Sequence, residues 1–226
     1  MATKIKDAPK RAKQHQIYRL KDGTRVPGVT TITGVEAKPF LIPWANKLGL
    51  QGIKTAEYVD HLAEIGTLAH QMVADHLRGK VTDTSEYTGE QIDKAENSFL
   101  SYLEWEKGKT IEPILIEIPL VSEKYRYGGQ IDTLLKVNCV LGQYDLKTGK
   151  AIYDDWYTQL IAYAYLLFEN GYIEDWSNLP SNILRIGRDE TEGFEVGYGH
   201  HHELFFRKFL DLLDVHQVNK EIKRNE

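Results

Sequence analysis

The sequence predicts an α/β fold, because segments with strand periodicity and segments with helix periodicity alternate along the chain. Two short apolar runs, Ile131–Val137 and Val140–Leu146, are separated at Asn138 and are typical of neighbouring antiparallel strands. A helix is predicted over about Asp154–Glu169, where apolar residues recur on one face. A chain of 226 residues with 42% apolar content can bury one substantial core, so we expect a single domain over residues 15–226.

The remaining elements are predicted from the same signals. Residues 1–14 are expected to form a basic flexible tail, and the Asp22-Gly23 step after it is a hairpin signature. The hairpin covers about Ile17–Thr33; helices are predicted over Phe40–Leu50, Thr55–Arg78, Glu90–Lys107 and Glu203–Val218, and strands over Ile111–Leu120, Ile183–Ile186 and Phe194–Tyr198.

Two carboxylates and one lysine are predicted to converge on the sheet. Asp132 lies in the first apolar run, Asp145 lies in the second, and Lys147 follows two positions later. Side chains alternate along a strand with a period of two, so Asp145 and Lys147 share a face that Asp132 can reach. Two hard oxygen ligands suit Mg²⁺ or Mn²⁺, and a lysine can orient or deprotonate a metal-bound water. A surface salt bridge between Asp145 and Lys147 is the alternative interpretation.

Helical spacing groups further polar residues. Trp156, Gln159 and Tyr163 share one face of the predicted helix, although residues of these types there are often boundary residues. Upstream, Gly66 costs about 1 kcal/mol relative to alanine inside a helix, which indicates close approach of another backbone or of DNA. His70 lies one turn later; a lone histidine on an apolar stripe is usually a boundary residue rather than a metal ligand.

Four short motifs follow one another along the chain: G-x-x-x-H at Gly66–His70, G-G-x-I-D at Gly128–Asp132, D-L-K-T-G at Asp145–Gly149 and Q-L-I-A-Y at Gln159–Tyr163. In this order they resemble the RecB-type branch of the PD-(D/E)XK nucleases, over about residues 26–168. Among these nucleases, the small stand-alone exonucleases of phages and of mitochondrial genome maintenance are the most similar. The resemblance implies a single PD-(D/E)XK domain, a central mixed sheet flanked by helices, and metal-dependent hydrolysis of DNA from its ends.

The resemblance also implies a metal site and a catalytic group. His70, Asp132 and Asp145 would bind the metal, assisted by the backbone carbonyl of Leu146. Lys147 would orient or deprotonate the attacking water. The implied cofactor is Mg²⁺ or Mn²⁺, as one or two ions.

Other positions match the family's substrate contacts. Gln159 and Tyr163 would position the scissile strand, and Gly66 would lie close to it. Glu117 corresponds to a glutamate of the mitochondrial enzymes that holds a water or contacts substrate, although an exposed strand glutamate is nearly as good an interpretation. For Trp44 we expect a core position, with stacking on a base as the alternative.

The single cysteine, Cys139, excludes an intramolecular disulfide and the four-cysteine iron–sulfur cluster of some relatives. It lies in an apolar run. The run His200–His202 is not assigned to a metal site, because three consecutive side chains diverge. No Walker A motif is present, which excludes a helicase motor.

The net charge of −5 is unusual for a protein that binds nucleic acid. Residues 1–25 carry eight basic and two acidic side chains, which leaves −11 for the remainder. The basic segment is either a nucleic-acid arm or a solubilising tail. The expected partners are single-stranded DNA or a duplex end, with a recombinase or a single-strand-binding protein as candidate protein partners.

The sequence contains no run of eighteen apolar residues and no apolar N-terminal segment, so it predicts neither a membrane span nor a secretory signal. We therefore expect a cytoplasmic protein, in the bacterial host if a phage encodes it, with a role in recombination, replication or repair. Two alternative functions remain: a restriction-type or structure-specific endonuclease of the same fold, and a catalytically silent DNA-binding recombination module.

Overall fold

The structure is a computed structural model that describes residues 16–225, so the predicted basic tail of residues 1–14 lies outside the described residues. In chain order the elements are β1 (Tyr18–Arg19), β2 (Arg25–Val26), α1 (Val29–Thr33), α2 (Leu41–Leu50), α3 (Thr55–Leu77), α4 (Gly89–Glu106), β3 (Ile111–Ser122), β4 (Tyr127–Val137), β5 (Val140–Lys147), α5 (Asp154–Glu169), β6 (Ser181–Ile186), β7 (Phe194–Tyr198) and α6 (His202–Asn225).

The centre of the fold is a five-stranded sheet in the order β3-β4-β5-β6-β7. Strands β5 and β6 run parallel, and the other neighbours are antiparallel. Helix α5 supplies the crossover that a parallel pair requires. The predicted α/β class with a mixed sheet flanked by helices is confirmed.

Two apolar clusters cover the sheet. Helices α1, α5 and α6 contribute to a cluster with β4, whereas α3 and α4 form the second cluster with Leu146 of β5 and with Leu184 and Ile186 of β6. Leu146 therefore faces α3 and α4. Its neighbours Asp145 and Lys147 face the opposite side of the sheet, because side chains alternate along a strand.

The predicted hairpin is shorter than expected, because Val29–Thr33 form a short helix instead of continuing the second strand. The β-branched residues there favour a strand, but Val29 and Ile32 are three positions apart and are both almost completely buried. A helical turn places both side chains in the cluster with α5 and α6. Tertiary packing therefore overrides local strand propensity.

The turn between β4 and β5 lies where the two apolar runs are separated. Asn138 and Cys139 have φ values of 50° and 68°, which suits a two-residue turn between antiparallel strands. Cys139 is exposed in this turn. Across residues 16–225, no helix has the length and apolar content needed to span a membrane.

Candidate active site

The candidate site lies where β4 and β5 separate. The backbone pairing of the two strands runs from Val137–Val140 to Thr133–Tyr144. Beyond that pair, the Leu146 N–H donates to Oδ2 of Asp132 at 2.9 Å. A carboxylate thus takes the place of a backbone acceptor, which holds the Asp132 side chain beside the end of β5.

Helix α3 brings His70 to the same place. Its Nδ1 lies 3.5 Å from Oδ2 of Asp132. Gly66, one turn earlier, allows α3 to approach the turn that follows Lys147: a methyl group added at Gly66 would lie 2.8 Å from the Thr148 hydroxyl. The group that approaches Gly66 closely is therefore the side chain of Thr148. A contact between Gly66 and DNA stays a prediction.

Asp145 and Lys147 form a buried ion pair between Oδ2 and Nζ, with side chains 4% and 17% exposed. Oδ2 of Asp145 is shielded from solvent and lies against the Lys147 ammonium group. Burial, reinforced by the charge of Asp132, raises the pKa of Asp145 to about 6 despite the opposing charge of Lys147.

The other three groups are also electrostatically coupled. Burial by itself would lower the pKa of His70, but the charge of Asp132, a hydrogen bond with Asp132 and the charge of Asp145 together outweigh burial and raise that pKa. Burial would raise the pKa of Asp132, but His70 and Lys147 lower it. Burial would lower the pKa of Lys147, and the charges of Asp145 and Asp132 raise it instead. At neutral pH the cluster therefore keeps a charged Asp132 and a protonated Lys147.

Glu117 lies beside this group on β3. Together with His70 and Asp132 it lines a small pocket. Its φ of 52° is unusual for a residue other than glycine, and such backbone conformations cost on the order of 1–3 kcal/mol. Arg78 holds it in place, donating to Oε2 of Glu117 at 3.1 Å and to the Ile116 carbonyl at 3.0 Å. Glu117 is thus placed next to the metal-ligand candidates but is already ion-paired.

Helix α5 places Gln159 and Tyr163 over the sheet. The Gln159 amide donates to the Tyr163 hydroxyl at 2.7 Å. The Tyr163 ring lies against Gly129, where a methyl group would be 2.5 Å from the ring. Burial and the charge of Asp145 raise the pKa of Tyr163 well above its usual range, so its hydroxyl keeps its proton. Gly128 is covered in the same way by the ring of Tyr18.

The two tryptophans near the site differ in their contacts. The Trp156 ring centroid is 6.0 Å from Nζ of Lys147, and the ring packs against Gly149. Trp44 is half-buried on α2, with its ring centroid 6.2 Å from that of Tyr58, and lies outside both apolar clusters. The expectation of a core position for Trp44 is wrong, because α2 leaves most of its apolar side chains exposed. Stacking of Trp44 on a base stays a prediction.

Sequence reasoning missed Arg185, which lies opposite Lys147 in the parallel register of β5 and β6. Its side chain is buried and donates to the Gly149 carbonyl at 3.2 Å and to Glu195 at 3.0 Å. The available signal was a charged residue, Arg185, within the apolar strand Ile183–Ile186. A charged residue in an apolar strand is also what singled out Asp145.

A second missed contact connects Lys38 with Asp155 at the start of α5, at 2.5 Å. It links the segment before α2 to the helix that carries Gln159 and Tyr163. The charge of Asp155 also helps to raise the pKa of Lys147. Neither residue belongs to a motif, so the sequence carried no signal for this pair.

The donor set fits a divalent cation. Within residues 16–225 no three His, Cys, Asp or Glu side chains form a ready-made metal cluster, and the carboxylates face protein cations instead. Asp145 nevertheless has a buried oxygen whose charge is balanced by Lys147, and Asp132 lies close enough to disfavour that charge. Hard carboxylate oxygens in this arrangement suit Mg²⁺ or Mn²⁺.

Comparisons with known proteins give little further information. No family model matches the chain, and no curated protein matches it. Among solved structures, the chain is similar to a protein from Eubacterium rectale named "Putative exonuclease", with a TM-score of 0.44 and 8% identity. The match covers 69% of this chain and 65% of the other, so the chain spans less than two thirds of that protein. Similarity at this level does not bear on function.

Proposed function

We propose that this protein is a divalent-metal-dependent exonuclease of the RecB-type branch of the PD-(D/E)XK nucleases, and that it hydrolyses DNA phosphodiesters from an end. The observation that carries the proposal is the convergence of Asp132, Asp145 and Lys147 with His70 where β4 and β5 separate. A solvated surface salt bridge between Asp145 and Lys147 does not account for a carboxylate that is 4% exposed.

Asp132, Asp145 and His70 would hold Mg²⁺ or Mn²⁺, with the Leu146 carbonyl as a further ligand. A bound ion would supply Lewis-acid polarisation of the phosphate and neutralise charge on its oxygens. The protein contributes two carboxylates whose pKa values differ: Asp132 is held charged by His70, whereas Asp145 has a pKa of about 6. At pH 7 both are therefore available as anionic ligands.

Lys147 serves as a donor in this arrangement. Its raised pKa keeps the ammonium group protonated at neutral pH, as long as Asp145 and Asp132 are charged. A protonated lysine orients the attacking water or binds a phosphate oxygen, and it stabilises developing negative charge. The ring of Trp156 lies beside the ammonium group.

Tyr163 and Gln159 would position the scissile strand. The Gln159 amide occupies one acceptor position of the Tyr163 hydroxyl, which leaves the hydroxyl proton directed elsewhere. Because burial keeps this proton in place, the hydroxyl can donate to a phosphate oxygen. The proposed substrate is DNA with a free end, and a recombinase or a single-strand-binding protein would be the candidate protein partner in recombination, replication or repair.

The test uses linear oligonucleotides labelled at one end or the other, together with covalently closed circular DNA. Each substrate is incubated with Mg²⁺, with Mn²⁺ or with EDTA. We expect metal-dependent shortening of the linear DNA and intact circles, and the labelled end gives the polarity. Opening of the circles would replace the proposal with an endonuclease. An absence of cleavage with either metal and any strand form would favour a catalytically silent binding module.

A further inference from the structure

A second concave feature lies apart from the candidate active site. It is an open pocket of about 410 Å³ between the β3–β4 turn, α5, the segment after α5, and α6. It shares no lining residue with the pocket at Asp132. Pockets of this size commonly bind small ligands or single side chains.

Aromatic rings make up most of its wall: Tyr125, Tyr165, Phe168, Trp176 and Phe206. These rings support one another. Phe206 is stacked on Tyr165 with centroids 4.5 Å apart, and the Trp176 and Tyr125 rings lie 4.8 and 5.6 Å from it. The wall is therefore already formed, which lowers the ordering cost of binding.

Two cations border the pocket. Lys124 lies in the β3–β4 turn, and Arg207 lies on α6 one turn after Glu203. In the part of the chain that the structure describes, neither cation forms an ion pair; Nζ of Lys124 contacts the ring of Tyr125, 4.8 Å from its centroid. Glu203 is the only acid among the lining residues described here. The lining thus combines an apolar cavity with a surplus of one positive charge.

We propose that this pocket binds the free C-terminus of a partner polypeptide. The last side chain of the partner, apolar or aromatic, enters the ring-lined cavity, and its terminal carboxylate is bound by Lys124 and Arg207. One apolar group and one negative charge on the same residue match the two features of the pocket. Charge-assisted hydrogen bonds to the carboxylate supply specificity, and burial of the side chain supplies affinity.

The surroundings favour a polypeptide over a nucleic-acid strand. Glu123, Glu169 and Asp175 are sequence neighbours of the lining residues, and Glu169 accepts from the backbone N–H of Lys124 at 3.0 Å. These carboxylates repel a phosphate backbone, which carries one charge per nucleotide, more strongly than a ligand that has a single terminal carboxylate. The lining also contains no Asn, Gln, Ser or Thr to read base edges.

Three fluorescein-labelled peptides test the proposal with the full-length protein, by fluorescence polarisation. The first is Gly-Ser-Gly-Ser-Phe with a free carboxylate, the second is the same peptide as its C-terminal amide, and the third ends in glycine. We expect saturable binding of the first peptide, weakened about tenfold or more by either change, because each removes one of the two recognised groups.

Variants locate the binding site. Arg207→Glu should weaken binding of the first peptide about tenfold or more. The matched control Arg224→Glu, at the exposed end of the same helix, should leave binding unchanged. Circular dichroism of both variants checks the fold. Nuclease activity is not needed for this measurement, so its outcome is independent of the proposed function.

Several outcomes would overturn the proposal. Equal binding of the acid and amide peptides would show that the cations do not recognise a carboxylate. Equal effects of Arg207→Glu and Arg224→Glu would show that the peptide binds elsewhere. Displacement of the peptide by a short oligothymidylate at low salt would assign the pocket to nucleic acid instead. No saturable binding up to about 1 mM would remove the site altogether.

Discussion

Gly66 of α3 faces the Thr148 hydroxyl so closely that an added methyl group would lie 2.8 Å from it. Thr148 directly follows Lys147, so this contact sets the distance between the helix that carries His70 and the strand that carries Asp145 and Lys147. The glycine of the G-x-x-x-H motif therefore has a packing role at the candidate site.

We expect Gly66→Ala to lower kcat by about 100-fold, since displacement of catalytic groups by about 1 Å has effects of that size. Gly49→Ala is the matched control, because Gly49 is also helical and an added methyl group there meets nothing within 4 Å. The control should be stabilised by up to about 1 kcal/mol, with unchanged kcat. Thermal melting and single-turnover cleavage are measured on both; equal kcat values would contradict the packing role.

Lys147→Ala should abolish cleavage while DNA binding persists, because the ammonium group that orients water or phosphate is lost. The variant also leaves Asp145 buried without its cation. The pKa of the Asp145 carboxyl group is higher in the folded protein than in the unfolded chain. Such a group destabilises the folded protein increasingly as pH rises above its pKa in the unfolded chain, so the variant should lose stability from about pH 4 upward. Cleavage, filter binding and melting at several pH values are compared with Lys150→Ala, an exposed lysine nearby. Normal cleavage by Lys147→Ala would refute its assigned role.

Mg²⁺ or Mn²⁺ should raise the Tm of the wild-type protein, since the ion binds the folded carboxylate site and not the unfolded chain. At 100 times the Kd the stabilisation is about 2.7 kcal/mol. The effect should be larger at pH 7.5 than at pH 5, because protons compete for Asp145, whose pKa is about 6. Asp132→Asn and Asp145→Asn should abolish it. A metal-induced shift that both variants retain would place the ion elsewhere.

The His70 pKa should lie above its ordinary value of 6.5 in metal-free protein, because the charge and hydrogen bond of Asp132, together with the charge of Asp145, outweigh burial. The contact between His70 and Asp132 therefore stabilises the folded protein below pH 6.5. This stabilisation is lost as pH rises through the pKa of His70 in the folded protein. In Asp132→Asn, burial and the charge of Lys147 should bring the pKa below 6.5. Nuclear magnetic resonance titration in EDTA measures both proteins, with His216 as the internal reference. An unchanged His70 pKa in the variant would rule out this pairing.

Arg185→Lys should lower kcat, because it removes the donor to the Gly149 carbonyl in the turn after Lys147. Arg188→Lys is the control: Arg188 is equally buried in the same hairpin, but within residues 16–225 its guanidinium group donates to Glu192 and not to that turn. Both variants should lose about 1–3 kcal/mol of stability. Only Arg185→Lys should show reduced kcat with unchanged KM; equal kcat values would make Arg185 purely structural.

Periodicity alone predicted much of this fold. Helix α5 and strand β7 begin and end at the predicted residues, and most other main helices and strands lie within a few residues of prediction. Helix α6 is longer than predicted, because it continues past Val218 to Asn225. The spacing of Asp145 and Lys147 placed them on one strand face, and the structure joins them in an ion pair. These predictions succeeded because alternation and helical spacing depend on near neighbours in the chain.

Predictions failed where distant parts of the chain compete with local preference. Val29–Thr33 are helical because two of their side chains fill a core formed by α5 and α6. Trp44 lies outside the core because α2 packs little of its apolar surface. Arg185 was missed because its acceptors, Gly149 and Glu195, are contributed by other segments.

The sequence by itself thus determined the order and type of the elements and the residue types available for chemistry, because both are encoded in short-range patterns. Only the tertiary structure decided which carboxylate is almost completely buried, and which glycines contact Thr148, Tyr18 and Tyr163. It also decided that aromatic rings from α5, α6 and two loops enclose a second pocket. Those features arise from contacts between residues far apart in the chain, which no local pattern records.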